Sequence, residues 1–377
     1  MTFAQGFVSV FRAVLSTFAL ASIVVLAVVL YGFYYPAPYA HQTARQLPVV
    51  VVDQERSTLT RALVRKLSDM REVRVAGEAL SIHEAEQRVR RREADGILLL
   101  PHGLTRSLLT GAPGSAGGGG IGIWVNGTYL IRAKDIGGAI QAAALAVAAE
   151  RLGPLAQGLH LRAPVAVVER PLFNTREGYA DYVFPAVAAI ILQQTLLFGT
   201  AMLAAGMAAE MREGRAPPLS PQGFLGTWCA LSLIGCLAAL FYFGWIFWYQ
   251  DVPRAGNPAA LLMAVPLFAA AVSALGLLLG SLFDSADRAL QVLIPSSIIL
   301  FFLAGAAWPL SAMPRWVAGL AHLSPATSGA QAFLRLNEMG ASLGQVLPQL
   351  AGLVVLSLVY GAMAAWRLTG TACRRRS

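Results

Sequence analysis

The residues of this chain best placed to do chemistry are four polar side chains set inside long apolar runs. Gln193 and Gln194 lie mid-run between Tyr182 and Gly206, and Ser296 and Ser297 follow Pro295 inside Ala289–Trp308. In hydrocarbon an amide must find a partner or line a polar cavity. Two readings stay open. The four residues line a path through a membrane, or they hydrogen-bond between helices and hold a bundle together. Patterns for bond-making chemistry are missing. A P-loop needs Gly-Lys before Ser or Thr, because that lysine reaches the β- and γ-phosphates. Lys66 and Lys134 follow Arg65 and Ala133 instead. His41, His83, His102, His160 and His322 lack metal-ligand spacing, and neither His-Glu-x-x-His nor Gly-x-Ser-x-Gly occurs. Gly117-x-Gly119-x-x-Gly122 has the spacing of a dinucleotide fingerprint, but a strand pattern follows it where a helix should. It reads as a flexible link. Cys229, Cys236 and Cys373 form neither a disulfide framework nor a metal pattern. The expectation is a protein that is no enzyme, with no metal site and no cofactor of its own.

The elements that must position these residues follow from composition. Of 377 residues, 56% are hydrophobic and 13% charged, against about 25% charged in a soluble domain. Much of the surface must therefore face lipid. The net charge of +9 comes mostly from arginine. No basic stripe with interleaved aromatics accompanies it, which argues against a nucleic-acid partner. Runs of about 20–25 residues are long enough to cross the roughly 30 Å hydrocarbon layer as helices. They lie at Val14–Tyr35, Tyr182–Gly206, Gly226–Tyr249, Ala259–Phe283, Ala289–Trp308 and Val346–Trp366. The first is too long for a signal-peptide core and lacks an Ala-x-Ala site, so it reads as an uncleaved anchor. Carboxylates are nearly absent from the runs, which weighs against a proton relay.

Orientation follows from arginines in short loops. Arg12, Arg212, Arg215, Arg288, Arg367 and the tail arginines Arg374, Arg375 and Arg376 outweigh Arg254, Arg315 and Arg335 on the opposite side. Both termini are expected in the cytoplasm. Residues 36–181 then lie outside, as one domain between the first and second spans. Its β-branched and apolar runs at Val49–Asp53, Val73–Ala76, Gly96–Leu100, Ile121–Val125 and Val165–Val168 read as strands. Leu59, Leu63 and Leu67 share one helix face after a Ser57 cap, and Ser81-Ile82-His83-Glu84 fits a capping box. Strands alternating with helices imply an α/β sandwich with a mainly parallel sheet. Arg88, Arg90, Arg91 and Arg92 read first as a solvated helix face and second as a docking patch for anions. The expected fold is a membrane α-helical bundle of six transmembrane helices with an inserted α/β extracytoplasmic domain. Its divisions are 1–35, 36–181, 182–368 and a basic tail, 369–377. Two segments between spans look purposeful. Residues 207–224 continue a helix on the cytoplasmic side and then turn at prolines. Residues 309–345 read as a pair of short helices at the outer interface.

Several motifs carry a resemblance. Arg170-Pro171-Leu172-Phe173-Asn174 precedes Tyr182-Val183-Phe184-Pro185. Trp308-Pro309-Leu310 is followed by Met313-Pro314-Arg315-Trp316 and Leu323-Ser324-Pro325-Ala326-Thr327. With one anchor span, a large outside domain and five clustered spans, the chain resembles the permease subunit of ABC-2 type exporters, in the subgroup of the YhhJ and YbhS permeases. Glu210-Met211-Arg212-Glu213-Gly214 keeps part of that family's motif after the second span, and Arg215-Ala216-Pro217 departs from the rest. The resemblance implies the inner membrane, a homodimer or a heterodimer with a related permease, and separate ABC ATP-binding subunits that hold ATP and Mg. It allows a periplasmic adaptor. It gives Glu210, Arg212 and Glu213 an ATPase-coupling role. A lining with so few charges suits an apolar or amphipathic cargo. The rival expectation is a non-transporting envelope receptor or adhesion protein that uses the outside domain.

Overall fold

The computed structural model describes residues 1–39, 46–91, 93–106, 121–125, 130–158, 179–252, 256–305, 308 and 310–370. The expected strand 165–168, Arg92, the glycine link at 117–120, the motif at 170–174 and the tail from 371 lie outside them. The chain divides into two units, Met1–Ala40 with Pro171–Ser377, and His41–Arg170.

The first unit is helical. Helix α1, Phe3–Ser16, starts from a capping box. The Gln5 amide donates to Thr2 Oγ1 at 3.3 Å, and the Thr2 amide donates to Gln5 Oε1 at 2.8 Å. Gly6, Val10 and Val14 form its buried stripe, at helical spacing. Thr17 is extended, and α2, Phe18–Tyr34, leaves at 95° to α1. The run Val14–Tyr35, expected as one straight span, therefore straddles a corner. Apolar composition alone did not show the break. The backbone of α1 lies directly on the start of α7, Pro221–Tyr249. A Cβ on Gly6 would sit 2.2 Å from the Gly223 carbonyl oxygen, and one on Gly226 would sit 2.1 Å from that of Phe3.

Helix α6, Tyr179–Arg212, has 34 residues. At 1.5 Å per residue it is about 51 Å long, so it outruns a bilayer core. It is also the central helix: 83% of its apolar window is buried. Helix α8, Pro258–Gly280, packs on it backbone to backbone. A Cβ added at Gly276 would meet the Thr200 side chain at 2.7 Å, and one at Gly280 would meet the Ala201 carbonyl oxygen at 2.3 Å. The Gly-x-x-x-Gly pair thus serves packing within the chain. Helix α9, Ala286–Leu303, is peripheral, with only 11% of its window buried. It stops short of the expected Trp308, because Gly305 takes a left-handed conformation, φ +80°, and ends the helix. Two short helices follow, α10 at Arg315–Ala321 and α11 at Pro325–Asn337, and α12, Leu347–Leu368, completes the bundle. Among the described residues five helices are long and apolar enough to cross a membrane, or six if the bent α1–α2 pair counts as one span.

The second unit holds a sheet in the order β2-β1-β3-β4, with strands Leu47–Asp53 (β1), Val73–Glu78 (β2), Gly96–Leu100 (β3) and Gly122–Val125 (β4). β1 pairs in parallel with β2 and β3, and β4 runs antiparallel to β3. The four valines of β1 point alternately to two cores. Val49 and Val51 meet α3, Thr58–Ser68, and α5, Leu130–Gly158. Val50 and Val52 meet the side of α4, Ile82–Arg90. The Ser81 cap holds the Glu84 amide, but the Glu84 carboxylate reaches back to the Leu80 amide rather than to Ser81, and pairs with Arg88 at 2.9 Å. Helix α5 was not legible as a run. Its signal was the spacing of Ile136, Ala139, Ile140, Ala143 and Val147, all buried.

Gly280→Leu drives a side chain into the α6 backbone and should destabilise the bundle by about 1–3 kcal/mol, the usual size of overpacking. Gly244→Leu, where a Cβ meets nothing within 4 Å, should leave the thermal unfolding midpoint in detergent almost unchanged. Equal midpoints for the two variants would exclude the backbone contact as a constraint.

Candidate functional site

The four polar residues singled out within the spans separate into three situations. Gln193 is fully buried on α6. Its Oε1 accepts the Ala326 amide at 2.5 Å, and its Nε2 lies 3.1 Å from Ser324 Oγ. Ser324 is the N-cap of α11, yet its hydroxyl makes no capping bond. Gln193 does that work from another helix, satisfying one of the amide groups a helix start leaves open. For Gln193 the interhelical role is the one the structure displays. Its neighbour Gln194 is 8% exposed, and neither Oε1 nor Nε2 has a partner among the described residues. A buried amide in that state costs about 1–3 kcal/mol. Ser296 and Ser297 donate to their own helix, to the Leu293 carbonyl at 2.7 Å and the Ile294 carbonyl at 2.6 Å. No hydrogen bond joins the serine pair to the glutamine pair among the described residues.

The C-terminal end of α6 is a brace. The Arg212 guanidinium ion-pairs with Asp284 and donates to the carbonyls of Ser281 at 3.2 Å and Phe283 at 2.6 Å. Arg367, at the end of α12, reaches the same place: its Nε donates to Ser281 Oγ at 2.9 Å and its guanidinium to the Ser281 carbonyl at 3.0 Å. Arg288 of α9 closes on Asp284 at 2.9 Å. Two cations thus meet the open carbonyls and negative dipole end of α8. One carboxylate, Asp284, ties in α6 and α9. Ser281, Asp284 and Arg367 were missed in the sequence. Their signal was polar residues at the edges of apolar runs that the arginine bias was expected to put on one side. Beyond the brace the chain turns at Gly214, φ +70°, while the Glu210 carbonyl accepts the amides of Arg215 and Ala216. Glu213 pairs with Arg215, and the Leu219 amide donates to the Leu368 carbonyl at 3.0 Å. Glu210 is exposed, and its carboxylate has no ion-pair partner among the described residues.

At the opposite end of α6, Asp181 is buried. Glu338, which caps the end of α11, has Oε1 withdrawn from water. Burial, and secondly the Asp181 carboxyl, push the Glu338 pKa up to about 8 from an ordinary 4.5. The folded chain therefore holds this proton more tightly than the unfolded chain does. The associated stability is full below about pH 4.5 and is lost as pH rises to about 8. Thermal unfolding of the solubilised protein between pH 4 and 9 should show this fall, and Glu338→Gln should flatten it. A fall of the same size in the variant would assign the effect elsewhere. Gln193→Leu, which strips the α11 cap, should destabilise by about 1–3 kcal/mol. Gln194→Leu should leave stability equal or higher, by the same melting assay.

No curated protein matches the chain. The family model described as ABC-2 family transporter protein matches residues 18–366, from the start of α2 almost to the end of α12. Its span takes in the buried glutamines and all of the arginine brace but Arg367, and this chain belongs to the ABC-2 family of membrane transporter proteins.

Proposed function

We propose that this chain is the membrane permease of an ATP-driven exporter that moves an apolar or amphipathic cargo out of the cytoplasm or the membrane. It works as a dimer, with itself or with a related permease, in the bacterial inner membrane. In this reading the chain crosses six times, with both termini in the cytoplasm and residues 36–181 outside, where a periplasmic adaptor would have a surface to meet. ATP and Mg belong to separate ABC ATP-binding subunits, as family membership supports. The observation that carries the mechanism is the brace at the end of α6. A push on residues 207–224 is not absorbed in a loose loop. Arg212 passes it to α8 and α9 through Asp284 and the Ser281 and Phe283 carbonyls. Glu210 and Glu213 stand exposed beside it as the faces an ATPase would meet. Nucleotide can shift the bundle only if the ATPase contacts this segment differently in two arrangements.

The apolar face of α9, with Val292, Ile298, Ile299 and Phe302 exposed, suits lipid as well as a second permease. The path, if it runs beside α6, has Gln194 as its first polar lining group. Gln193 is held by α11, and Ser296 and Ser297 join the path only where α9 borders it. The receptor or adhesion reading has no observation in its favour.

The test pairs the chain with an ATPase encoded beside it. Co-purification should yield a complex whose hydrolysis rises with the permease present. Charge reversal at Glu210 and Glu213 should lower that rise severalfold while the complex still assembles. Arg212→Asp should do the same, and adding Asp284→Arg should restore part of it. An unchanged rise in every variant would remove the coupling role.

A further inference from the structure

A cavity of about 550 Å³ opens beside the coupling segment, between α1, the Thr17 corner, the last turns of α6, the loop at Ala216–Leu219 and the first residue of α9. That volume suits a small molecule; such sites run from about 300 to 1,000 Å³. Its walls are mostly apolar, and four methionines, Met1, Met202, Met207 and Met211, stand among them. Thioether side chains are unbranched and polarisable, so they repack around differently shaped guests. The ionisable side chain in the lining is Glu210. Of the cations near it, Arg212 and Arg288 pair with Asp284 and Arg215 with Glu213, whereas Arg12, next to the lining residue Ala13, and the amino group of Met1 make no ion pair among the described residues. Glu210 has no ion-pair partner among the described residues. An apolar, adaptable chamber whose one charged side chain is a carboxylate is complementary to a molecule with a hydrophobic body and a single positive charge.

The surroundings argue the same way. Helix α1 is amphipathic, with Gly6, Val10 and Val14 inward, and it turns by 95° at Thr17 into an apolar helix. That is the geometry of a segment lying along a membrane surface and then entering it. Amphiphilic cations gather at such a boundary, charge in the water and body in the lipid.

We infer that this cavity is a binding site for amphipathic cations, loaded from the cytoplasmic side with Glu210 as its counter-ion. The inference rests on the exporter reading only for the claim that the bound molecule is cargo. The binding itself stands on the cavity and its charge. It places cargo against the same helix end that the ATPase is proposed to push. Occupancy and coupling would then share Glu210.

The experiment uses the full chain in discs of neutral phosphatidylcholine and two probes of one shape and opposite charge, tetraphenylphosphonium and tetraphenylborate. Equilibrium dialysis should show saturable binding of the phosphonium and none of the borate. Glu210→Gln, an exposed position, should weaken phosphonium binding about fivefold, the size of one solvent-accessible charge pair. Gly206→Trp should abolish it by filling the cavity, since Gly206 lines the chamber and a Cβ there meets nothing within 4 Å. Equal binding of both probes, unchanged affinity in Glu210→Gln, or no saturable binding would each overturn the proposal. If the tryptophan variant fails to fold, the glutamine variant and the borate still decide. A complex that hydrolyses ATP but binds no phosphonium would sink the cavity and spare the exporter reading. Charge-selective phosphonium binding, together with failure of any ABC ATPase to form a complex with the chain, would spare the cavity and sink the exporter reading.

Discussion

The membrane unit depends on one close approach, between the backbones of α6 and α8. Helices in lipid gain nothing from hiding apolar surface, since the solvent is as apolar as they are. What holds them is van der Waals contact, which is strongest where small residues let main chains touch. Gly276 against Thr200 and Gly280 against Ala201 supply that contact over one turn. It fixes α6 in the centre, and α6 can then be buried nearly all round. Alanines at 186, 188, 189, 201, 204, 205 and 208 leave room for its neighbours on every side.

A central helix longer than the bilayer core transmits motion only if its far end is held. The arginine brace does this. Arg212 and Arg367 arrive from two helices at the carbonyl end of α8, where the helix dipole is negative and hydrogen-bond acceptors are open. Asp284 adds α9 through Arg288. Four helix termini are linked through one small polar cluster beside Glu210 and Glu213. A displacement there reaches the helices together, which is what the coupling role proposed for this segment requires.

Gln193 and Gln194 show how adjacent residues of one type can differ in role. One faces α11 and replaces the cap that Ser324 does not make. The other, turned by about 100° around the same helix, faces no partner among the described residues. A buried amide without a partner is unfavourable in this arrangement, so it favours any arrangement that offers it one. That is a physical reason for Gln194, rather than Gln193, to belong to a changing pathway.

The sequence by itself determined the apolar runs, their approximate ends, the absence of a phosphate loop, the strands around Val49, Val73 and Gly96, and the family resemblance. All of these are local patterns of residue type and period. It did not determine the corner at Thr17, because a break in a helix need not interrupt apolar composition. It left α5 unread, since alanine-rich segments carry a weak hydrophobic signal. Which glutamine is tied, where Arg212 goes, and that Glu210 borders a cavity were decided only by the tertiary structure. Each depends on residues about 70 to 210 positions apart meeting through helix packing. Period and composition record what a segment is, whereas a partner's identity is set by which helices touch.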